Sequence, residues 1–78
     1  MIIGIPKETT DQEFRVGITP AGVTSLVQQG HRILIEKSAG VGSGISDTNY
    51  LDEGAELVSN PSIIFSSSDL VVKVKEVQ

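Results

Sequence analysis

The sequence predicts an α/β fold built on a doubly wound parallel sheet. Short apolar runs recur at residues 2–5, 32–36, 56–58 and 70–75. Between them lie segments opened by a capping residue followed by proline, Thr19-Pro20 and Asn60-Pro61, or stopped by glycine, Gly30 and Gly54. The resulting β-α-β-α-β-α-β order has short connections, which favours parallel strands joined by right-handed crossovers with helices on the sheet faces.

Each element has its own local cause. Met1 to Ile5 is almost continuously apolar, as a strand buried on both faces must be, and Pro6 ends it. A polar stretch from Lys7 to Arg15 follows, too charged to pack as core. Thr19 then offers a hydroxyl to the free amides of a helix whose first residue is Pro20, where the missing N–H costs nothing. Val23, Leu26 and Val27 form its apolar stripe, and Gly30 supplies the left-handed stop. Ile33 to Ile35 is the second strand. The glycine-rich stretch from Ala39 to Gly44 predicts a flexible loop. Ser46 or Asp47 caps a short helix that runs to about Glu53. After Gly54 comes a weak third strand, and after Asn60-Pro61 a helical turn or two through Ile64 and Phe65. Ser66 to Asp69 is predicted to break that helix, and Leu70 to Lys75 to form the fourth strand.

Composition narrows the function classes. With 78 residues the chain makes one domain at most, and a domain of this size buries only about 60–65% of the surface its unfolded chain exposes. Six basic residues against ten acidic give a net charge of −4, and the cations are scattered. Neutralising a phosphate backbone needs a basic stripe, so no nucleic-acid partner is expected. The longest apolar runs fall far short of the ~20 residues that span a bilayer, so no membrane partner is expected either. Absence of cysteine removes disulfides and thiolate metal sites and fits a reducing, cytoplasmic setting.

Few residues point to chemistry. Gly40, Gly42 and Gly44 are spaced G-x-G-x-G after the second strand. A dinucleotide fingerprint is G-x-G-x-x-G after the first, so a tight turn needing positive φ is the favoured reading, and no cofactor is assigned to the loop. His31, the single histidine, enters the second strand at its N-terminal edge, opposite the edge where ligands bind open α/β sheets. It reads as a solvated histidine near a helix C-terminus. Glu8, Asp11 and Glu13 lack a clear acidic partner on another strand end, so they read as a solvated loop, not a metal site. No catalytic residue and no metal ligand is assigned within the chain.

Two cations stand apart. Arg15 ends the polar stretch after the first strand, and Lys73 and Lys75 share one face of the fourth, where lysine is unusual. That strand either frays into solvent or brings its lysines to a site. In strand order 3-2-1-4 the first and fourth strands are neighbours, and the chain leaves their C-terminal ends toward opposite sides of the sheet, opening a crevice. Arg15 and Lys75 would both border it. Together they suit a small carboxylate, which arginine holds through two parallel hydrogen bonds.

At these residues the chain resembles a known family. Ile3-Gly-Ile-Pro-Lys-Glu8, Glu13-Phe-Arg-Val16, Thr19-Pro-Ala-Gly-Val23, Gly30-His31, Ala39-Gly-Val-Gly-Ser-Gly44, Gly54-Ala-Glu56 and Val72-Lys-Val-Lys-Glu76 are similar to the start of alanine dehydrogenases. The domain is shared with the alpha subunit of proton-translocating NAD(P) transhydrogenase and, more distantly, with lysine-forming saccharopine dehydrogenases. One departure is Val77, where the family usually has proline.

The resemblance implies a Rossmann-like parallel sheet with flanking helices, here an incomplete half-domain. Residues 1–78 would be the N-terminal portion of a substrate domain, with the NAD-binding domain and the catalytic histidine and aspartate outside this chain. It implies interconversion of L-alanine and pyruvate plus ammonia with NAD as cofactor, in a homo-oligomeric enzyme. Arg15 matches the arginine that holds the substrate carboxylate, and Lys75 the lysine that contacts the substrate and polarises its carbonyl. The isolated 78-residue chain is accordingly expected to be inactive. Two other readings are a transhydrogenase alpha-subunit fragment, disfavoured by Lys75, and a stand-alone small-molecule-binding domain without turnover.

Overall fold

The structure, a computed structural model, describes residues 1–7 and 17–72. Its elements are β1 (Ile2–Ile5), α1 (Pro20–Gln28), β2 (Arg32–Glu36), α2 (Asp47–Asp52), β3 (Glu56–Val58), α3 (Pro61–Ser67) and β4 (Leu70–Val71). The four strands form one sheet in the order β3-β2-β1-β4, and every pairing is parallel. This is the predicted arrangement. The predicted continuation of β4 through Lys73 to Lys75 lies outside the described residues.

Register explains the two faces of the sheet. Ile3 pairs with Ile33 and Ile5 with Ile35, so these four isoleucines project to the same side. There they bury against Val23 of α1 and Tyr50 of α2, with Ala39 and Ala55 closing the cluster. Enclosing a side chain such as isoleucine contributes about 1.5–3 kcal/mol, and this cluster is the main apolar core of the fold. The alternate residues Gly4 and Leu34 pair with each other and face the other side, where α3 lies.

Helix ends are set locally, as their residue types dictate. The Thr19 hydroxyl accepts the Gly22 N–H at 3.2 Å ahead of Pro20. At the far end Gly30 takes φ 92°, while its own N–H and that of His31 donate back to the carbonyls of Val27 and Leu26. Helix α2 repeats the design. Ser46 caps it, Gly54 takes φ 103°, and the N–H groups of Gly54 and Ala55 donate to Leu51 and Tyr50. Both helices thus hand the chain directly to the next strand.

Three expectations need correction. Helix α3 does not break at Ser66 but runs through Ser67, because serine opposes a helix only weakly while burial of Ile64 against the sheet holds the last turn, and the Ser68 N–H still reaches the Ile64 carbonyl at 3.2 Å. The stretch from Ala39 to Gly44 is a hydrogen-bonded coil around a 3-10 turn at Val41–Ser43, not a loose loop. His31 is half-buried rather than solvated, and its Nδ1 is enclosed without a partner among the described residues.

Gly4 shows how tightly α3 sits on the sheet. A Cβ at this position would fall 2.1 Å from Ser68 Oγ and 2.9 Å from Ile64 Cγ2. Turning the serine hydroxyl away relieves only the first contact. Gly4→Ala should therefore cost about 1–3 kcal/mol in denaturant unfolding, the range for an overpacked core. Ser68 Oγ is buried without a partner among the described residues, so Ser68→Ala should be near neutral on its own. An unchanged unfolding midpoint for Gly4→Ala would show that α3 is less closely seated.

Candidate functional site

The C-terminal edge of the sheet collects the ends of β1, β2, β3 and β4 and the segments that leave them. Because β1 lies between β2 and β4, the crossover through α1 and that through α3 occupy opposite faces, and a crevice opens between the ends of β1 and β4. The two cations predicted to border it, Arg15 and Lys75, lie outside the described residues. So do Lys73 and the acids Glu8, Asp11 and Glu13.

Their described neighbours do meet. Val72 prolongs the pairing of β4 with β1, its N–H donating to the Gly4 carbonyl at 2.9 Å. Against it lies Gly17, where a Cβ would stand 2.9 Å from the Val72 carbonyl oxygen and 3.3 Å from Val72 Cγ1. Gly17 follows Arg15 by two positions, and Val72 precedes Lys75 by three.

Side chains from β2 and α2 hold the segment on either side of residues 8–16. Glu36, the last residue of β2, accepts the Lys7 N–H at 2.9 Å. The Tyr50 hydroxyl donates to the Ile18 carbonyl at 2.7 Å, while its ring is fully enclosed. Burial first, and the Asp47 charge second, raise the pKa of this phenol, so it remains a neutral donor. The sequence reading passed over both residues. The one signal for Glu36 is an acid closing a strand after three apolar residues at the ligand-binding edge, and for Tyr50 a lone tyrosine on a short helix.

The glycine coil does not fit a dinucleotide. The N–H groups of Ala39, Val41, Ser43, Gly44 and Ile45 all donate to carbonyls within the segment 36–45, and that of Ser38 to Asp47 Oδ1 at 2.9 Å. A phosphate cradle needs such groups unpaired and convergent. Positive φ is required at Gly44, 80°, and is also adopted by Ser38 at 67°. At Gly40 the demand is for space instead, since a Cβ would lie 2.8 Å from Tyr50 Cε2. The described residues contain no cluster of three or more side chains able to hold a metal, and no helix among them is long and apolar enough to cross a membrane.

Opposite the crevice, at the N-terminal edge, the Arg32 guanidinium grips Glu56 with two bonds of 3.0 and 2.9 Å. The hydrogen bond to Arg32 holds the Glu56 carboxyl below its usual range, opposed by desolvation and assisted by the Arg32 charge. A carboxylate lowered in the folded state stabilises above its unfolded pKa and loses that contribution as pH falls through the lowered value. Both partners are exposed, so solvent and salt weaken the pair. Its role is to hold two strands in place, remote from the crevice.

The Gly17–Val72 approach is testable by itself. Gly17→Ala should lower stability by about 1–3 kcal/mol in denaturant unfolding, because the contacting atoms include backbone that cannot rotate away. A neutral or stabilising effect would mean the two segments are not pressed together.

Comparisons with known proteins agree with this geometry. The chain is 47% identical over 76 residues to the alanine dehydrogenase of Methanococcus maripaludis, covering 97% of itself and 20% of that protein. A solved L-alanine dehydrogenase superposes with a TM-score of 0.95 at 46% identity, over 100% of this chain and 21% of that one. The transhydrogenase of Sinorhizobium meliloti superposes with a TM-score of 0.86 at 30% identity, over 94% and 20%. The chain thus spans about a fifth of the length of these relatives. Residues 4–78 match the model of the alanine dehydrogenase/PNT N-terminal domain, and the chain belongs to that family.

Proposed function

We propose that this chain supplies the substrate-binding crevice of an NAD-dependent L-alanine dehydrogenase. The observation that carries the reading is the Gly17–Val72 contact, which ties the segment after Arg15 to the segment before Lys75 at the C-terminal edge of the sheet. The higher identity and TM-score of the L-alanine dehydrogenase favour this activity over that of a transhydrogenase. Residues 1–78 are read as the N-terminal portion of the substrate domain, and NAD as bound by a domain outside this chain. The reaction is reversible conversion of L-alanine, NAD and water to pyruvate, ammonia and NADH.

In this scheme the Arg15 guanidinium clamps the carboxylate of pyruvate or L-alanine through two parallel hydrogen bonds. The Lys75 ammonium faces the keto oxygen, where negative charge develops as ammonia adds to the carbon, and stabilises that charge better than it does the ground state. The small-molecule substrate is the partner; nucleic acid and membrane are not. A cytoplasmic setting is supported by the cysteine-free composition. A homo-oligomer is what the resemblance to alanine dehydrogenases implies.

Steady-state kinetics of the full-length protein test the roles. Losing a charge-assisted contact should cost about 2–4 kcal/mol, or ~30- to 1,000-fold in kcat/KM. Arg15→Lys keeps the charge but loses the fork, so it should chiefly raise the KM for pyruvate. Lys75→Ala should lower kcat as well, and Lys73→Ala should do less than either. Unchanged pyruvate saturation in Arg15→Lys, or equal damage from Lys73→Ala and Lys75→Ala, would contradict the assignment.

A further inference from the structure

Arg15 can clamp a carboxylate only if the stretch 8–16 is delivered to the crevice in a fixed position. The described residues on either side of that stretch are held by side chains from a different part of the chain. Glu36 accepts the Lys7 N–H across 29 positions, and Tyr50 reaches the Ile18 carbonyl across 32. Between the two anchors Gly17 is pressed against Val72.

Neither polar group is what its place in the fold calls for. Tyr50 fills the core with its ring, and phenylalanine would bury the same surface without having to satisfy a hydroxyl. Glu36 ends a strand whose three preceding residues are all buried and apolar. It directs its carboxylate at a single backbone N–H at the edge where ligands bind. Both bonds end on main-chain atoms, of Lys7 and Ile18, so they fix those two points of the backbone whatever side chains it carries. The Tyr50 phenol stays protonated well above neutral pH, since burial and the Asp47 charge both raise its pKa.

We propose that Glu36 and Tyr50 are positioning residues of the substrate site, acting through Arg15 by fixing the two ends of the segment that carries it. The proposal rests on the assignment of Arg15 to the substrate carboxylate. Two-pronged recognition tolerates little displacement, so release of either anchor should weaken substrate binding more than turnover.

The test is a kinetic and double-mutant comparison in the full-length protein. Tyr50→Phe removes only the hydroxyl, and Glu36→Ala removes the acceptor, whereas Glu36→Gln retains an amide oxygen that can accept the Lys7 N–H. Tyr50→Phe and Glu36→Ala should each raise the pyruvate KM about 3- to 10-fold, the scale of one lost hydrogen bond. The KM for NADH should not move, kcat should stay within about twofold, and Glu36→Gln should stay close to the parent. In an Arg15→Ala background neither change should raise the pyruvate KM further, because the group they position is already lost. Multiplicative effects in that background, or a KM for NADH that rises in step with pyruvate, would show a general structural role and overturn the proposal. So would an unchanged pyruvate KM in Tyr50→Phe and Glu36→Ala when Arg15→Lys raises it. If Arg15→Lys itself leaves pyruvate saturation unaltered, the assignment of Arg15 fails and this proposal fails with it.

Discussion

The four residues Ile2–Ile5 are paired on both sides by strands that come from distant parts of the chain, β2 on one side and β4 on the other. This double pairing of β1 is what the rest of the molecule depends on. It forces the two crossovers onto opposite faces and so creates the crevice at the C-terminal edge. The β4 side is pinned at its start, where the Ile2 N–H donates to the Asp69 carboxylate and the Asp69 N–H returns to the Ile2 carbonyl, each at 2.7 Å. At its end Val72 donates to Gly4. The central strand also restricts its own sequence, because α3 approaches so closely that position 4 must lack a side chain.

From that frame the chain is steered by a few polar contacts whose value is geometric rather than energetic. A single hydrogen bond contributes only about 0.5–1.5 kcal/mol to stability. Yet the bonds from Glu36 and Tyr50 determine where the segments after β1 and before α1 run, and the Gly17–Val72 contact determines what they run beside. Arg32 and Glu56 do comparable work for the strands at the other edge, where no ligand is expected. The apolar core thus sets the stability, and the polar contacts at the C-terminal edge fix the course of the described chain beside the ends of β1 and β4.

How much of this was legible in the sequence follows from how local each cause is. The caps at Thr19, Ser46 and Asn60 and the glycine stops at Gly30 and Gly54 act within one helical turn, and the structure has them where the residue types predict. Strand order was legible because alternating strands and helices with short connections leave few topologies. The end of α3 is not legible, because the serines suggest a break while burial of Ile64 and contact with Gly4 hold the last turn. The order of the coil at Ala39–Gly44 is not legible because the backbone bonds that close it, such as Ile45 N–H to the Gly40 carbonyl, leave no side-chain pattern. Glu36 and Tyr50 were missed for a related reason: their partners are backbone atoms about thirty positions away, which no periodicity reports. Arg15 and Lys75 were legible as residue types and by resemblance, while the described structure speaks to their neighbours.

The central claim is that one crevice, beside the Gly17–Val72 contact, receives the substrate between Arg15 and Lys75. A crystal structure of the full-length protein with pyruvate bound tests it most directly. The account predicts the carboxylate accepting two hydrogen bonds from the Arg15 guanidinium and the keto oxygen within hydrogen-bond distance of Lys75 Nζ, between the ends of β1 and β4. Pyruvate seated elsewhere, or Arg15 and Lys75 turned to opposite faces of the sheet, would contradict it.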